Sequence, residues 1–245
     1  MEAAQTIRQA VARVNQLRTA EAAQPALRGA VRTIKSLQGR RFAATYADMM
    51  AGGPYAAASR FFLEELYGDR DYADRDAQFA RIAGAIDKFF PQLVVQTAVN
   101  LALLHSLTED LDYAMAVQWL AEDASLGDAA RYVNAWRAVD RRVDRLAQLK
   151  DVIALGEEMS RLTRAPGLRT MLRMMRGPSV AAGLSALQRF LEAGFDTFAA
   201  MARGGHAPTF LGTIEQRESA LIAEMFDTPA VACETRLARL LGQAP

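Results

Sequence analysis

Apolar residues recur along the chain at intervals of three and four, as in Ile7, Ala10, Val11, Val14 and Leu17, which is the signature of one helix face. No stretch alternates apolar with polar residues among β-branched side chains, and neither an Asn-Gly nor an Asp-Gly hairpin turn occurs, so strands are not expected. Pro25, Pro54, Pro91, Pro166, Pro178 and Pro229 each precede a helical pattern, the position where a missing N–H costs least. Gly53, Gly68, Gly127, Gly177 and Gly205 punctuate the breaks. The expected fold class is all-α.

The pattern predicts helices over 2–22, 25–38, 40–51, 54–67, 74–89, 92–106, 108–124, 128–140, 142–163, 166–176, 179–203, 208–226 and 229–242. Segment 92–107 is apolar on most faces and is expected at the centre of the bundle. Segment 179–203 would span ~38 Å as one helix, with Leu184, Leu187, Phe190, Leu191, Phe195 and Phe198 as a broad stripe. Residues 1–38 read as a helical hairpin that either packs on the body or serves as a dimerisation arm. Residues 39–245 read as one multi-helix, bundle-like domain. No repeat at a fixed period appears, which argues against a solenoid.

The composition keeps the function broad. Apolar residues make up 51% and charged residues 23%, a globular balance. Lys plus Arg is 29 against Asp plus Glu 28, so net charge calls for no nucleic acid. No apolar run reaches the ~18 residues of a membrane span, and the first residues offer no cleavable signal. One cysteine, Cys233, excludes an internal disulfide framework and points to a cytoplasmic protein. With two histidines, His- and Cys-based metal sites are nearly excluded, and no cofactor is expected. Charge is segregated along the chain, however: from Met159 to Leu191 there is no acidic residue.

That acid-free stretch is the most suggestive. Arg169, Arg173 and Arg176 stand at i, i+4 and i+7 and make a basic face opposite a methionine-rich one, alternating with Leu168, Met171, Leu172, Met174 and Met175. Arginine gives bidentate contacts to carboxylate or phosphate, and methionine adapts to varied surfaces. A short basic amphipathic helix of this kind also suits an acidic membrane surface, while a plain surface helix, its Met and Leu side on the core and its Arg side toward the acidic middle of the chain, is the leading account. Four aspartates in eight residues, Asp69, Asp71, Asp74 and Asp76, lack the glycine and glutamate of an EF-hand loop. Helix capping by Asp74 or Asp76 and pairing with neighbouring arginines explain them better than a metal. Asp140 and Asp144 share one helix face, yet the intervening arginines favour ion pairing over a diphosphate site. His105 lies in an apolar helix, where a hydrogen-bonded core histidine is the simplest reading. His206 follows Gly204 and Gly205 before a helix start, and acts in acid–base chemistry only if a carboxylate comes near.

Phe61-Phe62-Leu63-Glu64-Glu65-Leu66-Tyr67-Gly68, continuing to Arg75-Asp76, resembles a set of uncharacterised helical proteins of proteobacteria. So do Gly183-Leu184 to Phe195 and Phe210-Leu211 through Arg217-Glu218. The resemblance covers most of the chain beyond residue 40 and implies a bacterial, cytoplasmic, wholly helical domain without bringing an activity. Two functions stay open. The first is a non-catalytic binding or interaction protein using the basic, Met-rich helix, its partner another protein or a second copy in a homodimer. The alternative is an enzyme or carrier for an amphipathic anionic small molecule, lipid- or isoprenoid-like. There Arg169, Arg173 and Arg176 would hold the anion, and Glu64, Glu65 or His206 would supply acid–base groups. An apolar pocket lined from 61–66, 92–105 and 187–198 would accompany either.

Overall fold

The computed structural model describes residues 2–65 and 72–243. Among these, thirteen α-helices, one 3-10 turn at Gly53–Tyr55 and no strand are present. The helices are α1 (Glu2–Ala23), α2 (Pro25–Thr45), α3 (Ala47–Met50), α4 (Ala56–Glu65), α5 (Ala73–Phe89), α6 (Gln92–Ala121) and α7 (Asp128–Val139). They continue as α8 (Arg142–Leu162), α9 (Leu168–Met174), α10 (Arg176–Ala181), α11 (Ser185–Arg203), α12 (Ala207–Asp227) and α13 (Ala230–Leu240).

The long helix α6 is the pillar. With no glycine or proline between Gln92 and Ala121 it runs 30 residues without interruption, ~45 Å at helical rise. Its neighbours are α1, α2, α5, α7 and α8, which is why it carries no single apolar stripe. The expected break near residue 107 is absent. The polarity change there marks Glu109 and Asp112, which are buried, so it reports a change of surroundings along one helix.

The expected helix 179–203, by contrast, is broken. Gly183 takes a left-handed backbone at φ 67°, and the Leu184 N–H donates to the Ser179 carbonyl at 2.7 Å. This closes α10 in a Schellman-type turn before α11 begins. Gly39 does not end α2, which continues to Thr45 and so carries the helix across position 38. Both α1 and α2 lie on α6, and they touch it more extensively than they touch each other.

Two apolar clusters form the interior. The larger joins α2, α4, α6, α7, α8, α11, α12 and α13 around fully buried Ile34, Phe42, Tyr46, Met115, Val133 and Phe210. The smaller joins α1, α5 and the first half of α6 through Ile7, Phe79, Ala83, Ile86 and Val95. Helices α8 and α12 approach closely at Gly156, where a Cβ would stand 2.4 Å from Leu211 Cδ2.

Candidate functional site

A charged chamber of about 130 Å³ sits where the two apolar clusters meet. Helix α2 reaches it because its stripe Leu27, Val31, Ile34, Leu37 continues at helical spacing into Lys35, Gln38 and Arg41. Those residues stand at core positions although they are polar. Helix α6 contributes His105, Thr108, Glu109 and Asp112, one face of two turns. Arg75 and Asp76 arrive from α5, Tyr132 and Trp136 from α7, Arg145 and Gln148 from α8, and Glu218 from α12.

The wall is held by ion pairs. Lys35 Nζ donates to both Glu109 oxygens at 2.7 and 2.8 Å. Arg41 and the Tyr46 hydroxyl both donate to Glu218 Oε1. Asp76 Oδ2 accepts from Arg18 Nη2 at 2.6 Å and lies 2.8 Å from His105 Nε2. Arg75 lies 3.5 Å from Glu65 and stacks over the rings of Tyr72 and Phe190. The Arg145 guanidinium covers Trp136 at 4.1 Å, and Gln148 Nε2 donates to Thr108 at 2.8 Å.

The electrostatics split the carboxylates. Asp112 accepts from Gln38 Nε2 at 3.0 Å. Burial pushes its carboxyl up, and the neighbouring Glu109 adds to this against the pull of Lys35. Asp76 goes the other way. Burial alone would raise it, but the hydrogen bonds and charges of His105 and Arg18 outweigh that and hold it below the usual range. Burial likewise disfavours the Lys35 ammonium, yet Glu109 and Asp112 raise its pKa.

Against the chamber lies a second, almost wholly apolar cavity of about 200 Å³. Phe62, Phe79, Leu101, Leu104, Leu187 and Phe190 border both spaces. Its far wall comes from α6 (Val94, Ala98), α8 (Leu155, Met159), α9 (Leu168, Met171, Leu172) and α11 (Leu191, Phe195, Phe198). Residues of 61–62, 94–104 and 187–198 therefore line it, in the three segments named from sequence.

The sequence-named polar residues do not converge. Glu65 lies on the chamber wall, whereas Arg169, Arg173, Arg176, Glu64 and His206 are outside both cavities. Arg169 pairs with Asp196 at 2.7 Å and Arg176 with Glu192 at 2.6 Å, both partners on α11. Arg173 is exposed. Glu64 is exposed on α4, and His206, at the start of α12, meets the Tyr55 ring edge-on at 5.8 Å. The helix-capping reading of Asp74 or Asp76 is corrected: the cap of α5 is Tyr72, and Asp76 is turned inward one turn later. Asp69 and Asp71 lie outside the described residues. The shared helix face expected for Asp140 and Asp144 is corrected: Asp140 ends α7 in a left-handed backbone at φ 48°, while Asp144, on α8, is paired with Arg141, which also reaches Asp110. Among the described residues no group of three or more Cys, His, Asp or Glu is arranged to hold a metal.

Lys35, Gln38, Arg41, Glu109, Asp112, Arg145 and Glu218 were missed as site residues. The available signal was Gln38 and Arg41 falling on the continuing stripe of α2, and two carboxylates inside the most apolar helix. Arg217 and Glu218, adjacent in sequence, differ in burial: Arg217 grips Asp48 at 2.8 and 2.7 Å near the surface, while Glu218 turns inward.

Fold and interior together define an all-helical protein with two abutting cavities, one almost wholly apolar and one with charged groups in its wall. No described helix is long and apolar enough to cross a membrane. The family model for DUF8198, a domain of unknown function, matches residues 16–231, and the chain belongs to that family. No curated protein and no solved structure shows significant similarity to it.

Proposed function

We propose that this protein binds an amphipathic small molecule, its apolar portion in the cavity between α6, α8 and α11 and its polar head in the charged chamber. The supporting observation is the abutment of an apolar space of about 200 Å³ and one of about 130 Å³ whose wall sets charged and hydrogen-bonding side chains among apolar ones. Sites for small ligands are mostly apolar concavities with a few convergent polar groups, and this interior fits that description. Lys35, Arg41 and Arg75 already face Glu109, Glu218 and Glu65. A head group that exchanges hydrogen bonds, such as a hydroxyl, carbonyl or amide, therefore suits the chamber better than a full anion. Its neighbours there are Gln38, Thr108, Tyr132 and Gln148.

The test is native mass spectrometry of protein purified from its own host, beside titration with a dansyl-labelled fatty alcohol and the matching fatty acid. Ala98→Phe places a ring in the apolar cavity, whose wall includes Ala98. Expected is a retained small-molecule adduct and saturable dansyl binding in the wild type, both lost in Ala98→Phe at unchanged helicity. Bare protein in both cases, with no saturable uptake of either probe, would remove the reading.

One observation favours a second reading, proton transfer on the bound head group. His105 Nε2 lies 2.8 Å from the Asp76 carboxylate on the chamber wall, the arrangement that orients an imidazole as a general base. His105→Gln distinguishes the two: chemistry on a bound ligand disappears while binding persists if the histidine acts, and binding alone is seen in both forms if it does not.

A further inference from the structure

The segment 164–191 is not absorbed by the interior site, although it forms part of its wall. On α9, Leu168 and Leu172 border the apolar cavity, and Met171 does so while remaining 37% exposed. Met174 and Met175, one turn on, face solvent at 73% and 39%, and Val180 on α10 is 64% exposed. A run of large apolar side chains in water at the edge of a cavity is unusual, because isolated surface apolars need no account but clustered ones do. Left-handed glycines bound the segment, Gly167 at φ 77° and Gly183 at φ 67°. Gln188 seats it on α11, donating to the Leu172 carbonyl at 2.7 Å and accepting from the Ser179 hydroxyl at 3.0 Å.

Charge distinguishes what this face fits. Arg169 and Arg176 are paired with Asp196 and Glu192. Arg161, Arg164, Arg173 and Arg189 are exposed and make no ion pair among the described residues. No acidic residue occurs in sequence between Met159 and Leu191, and of the α11 carboxylates Glu192 also feels the charge of Arg173. Exposed methionine and valine beside exposed guanidinium groups match a surface of anionic phospholipid, which takes apolar side chains at its acyl boundary and cations at its head groups.

We infer that α9 and α10 dock the protein on an anionic lipid surface, bringing Met171 and the apolar cavity behind it to the boundary from which an amphiphile is exchanged. The exchange role rests on the amphiphile-binding reading above, whereas the docking rests on the residues just named. Each unpaired arginine is worth roughly a fivefold gain in partitioning onto anionic lipid at low salt. Salt therefore weakens the association.

The full chain is sedimented with vesicles of phosphatidylcholine alone and of phosphatidylcholine mixed with phosphatidylglycerol. Expected is binding to the mixed vesicles only, reduced by salt, and reduced at least tenfold by the paired substitution Met174→Asp and Val180→Asp. Both side chains are exposed, so circular dichroism should not change. A second variant, Arg164→Gln with Arg173→Gln, should lose roughly 25-fold on mixed vesicles, two arginines at the factor above. Absence of binding to mixed vesicles, or equal binding by wild type and variants, overturns the inference and returns this face to a protein partner. Uptake of the dansyl probes from solution is measured alongside. If vesicle binding stands and uptake fails, docking survives while the amphiphile reading falls; if uptake stands and vesicle binding fails, the reverse holds.

Discussion

Arg41 and Glu218 are nine-tenths buried side chains that hold α2 to α12 from opposite ends of the sequence. Removing one member of such a pair leaves the other charge stranded in low dielectric, which costs about 3–5 kcal/mol. Glu218→Gln is therefore expected to lower the denaturation midpoint sharply, and Arg41→Met combined with Glu218→Leu to recover much of the loss. Asp110 tests the partly exposed counterpart. Burial opposes its ionisation, but Arg141 and Arg13 prevail and keep its pKa below the ordinary value. A carboxyl depressed in the folded state contributes stability above its unfolded pKa of about 3.9 and loses it as pH falls through the folded value. Asp110→Asn should thus cost about 1 kcal/mol at neutral pH, given its solvent contact, with the difference from wild type closing below pH ~4. Urea titrations across pH read this directly. At this scale the sequence was least informative. Lys35, Gln38, Glu109, Asp112 and Glu218 carry no local mark that separates them from the polar residues beside them, such as Ser36, Asp110 and Arg217. Their meeting depends on chain separations as long as the 177 residues between Arg41 and Glu218, which no local pattern encodes.

The helices themselves were largely legible, because proline and glycine mark where backbone hydrogen bonding must stop, and α7, α8, α12 and α13 begin and end within a few residues of the pattern. Where pattern and structure differ a local residue type misled, as at Gly39, which does not end α2. Polarity was read as punctuation in 106–109, where the helix continues, and continuity was read through Gly183, where a left-handed residue ends α10. The break at Gly183 is open to test. A Cβ at position 183 meets only Arg81 Nη2 at 3.6 Å, so Gly183→Ala isolates the backbone penalty of the left-handed region, about 1 kcal/mol. A lower Tm with unchanged helical content is the expected result. Arg81, which donates to the carbonyls of Ala182 and Gly183 at 2.7 and 2.9 Å, links this turn to α5.

Across the whole molecule the apolar cavity was anticipated segment by segment, since clustered aromatics at 61–62 and 190–198 and an all-round apolar helix need one another for burial. Its charged neighbour was not, and the chamber is what turns a hydrophobic core into an amphipathic one. The N-terminal helices share in that core: Ile7, Val14, Leu17, Val31 and Ile34 are all buried. Deleting residues 1–38 uncovers two faces of α6, and the expected outcome is loss of the cooperative thermal transition, followed by circular dichroism at 222 nm. A truncated chain that melts as sharply as the full one would show that the remainder is self-sufficient. Such an arrangement bears on biosynthesis. The first two helices are finished 98 and 76 residues before the pillar they rest on, which ends at Ala121. At translation speeds of about 5–20 residues per second, their greasy sides wait roughly 5–20 s without a seat. That interval is long enough for a nascent-chain chaperone to become a regular companion of this polypeptide.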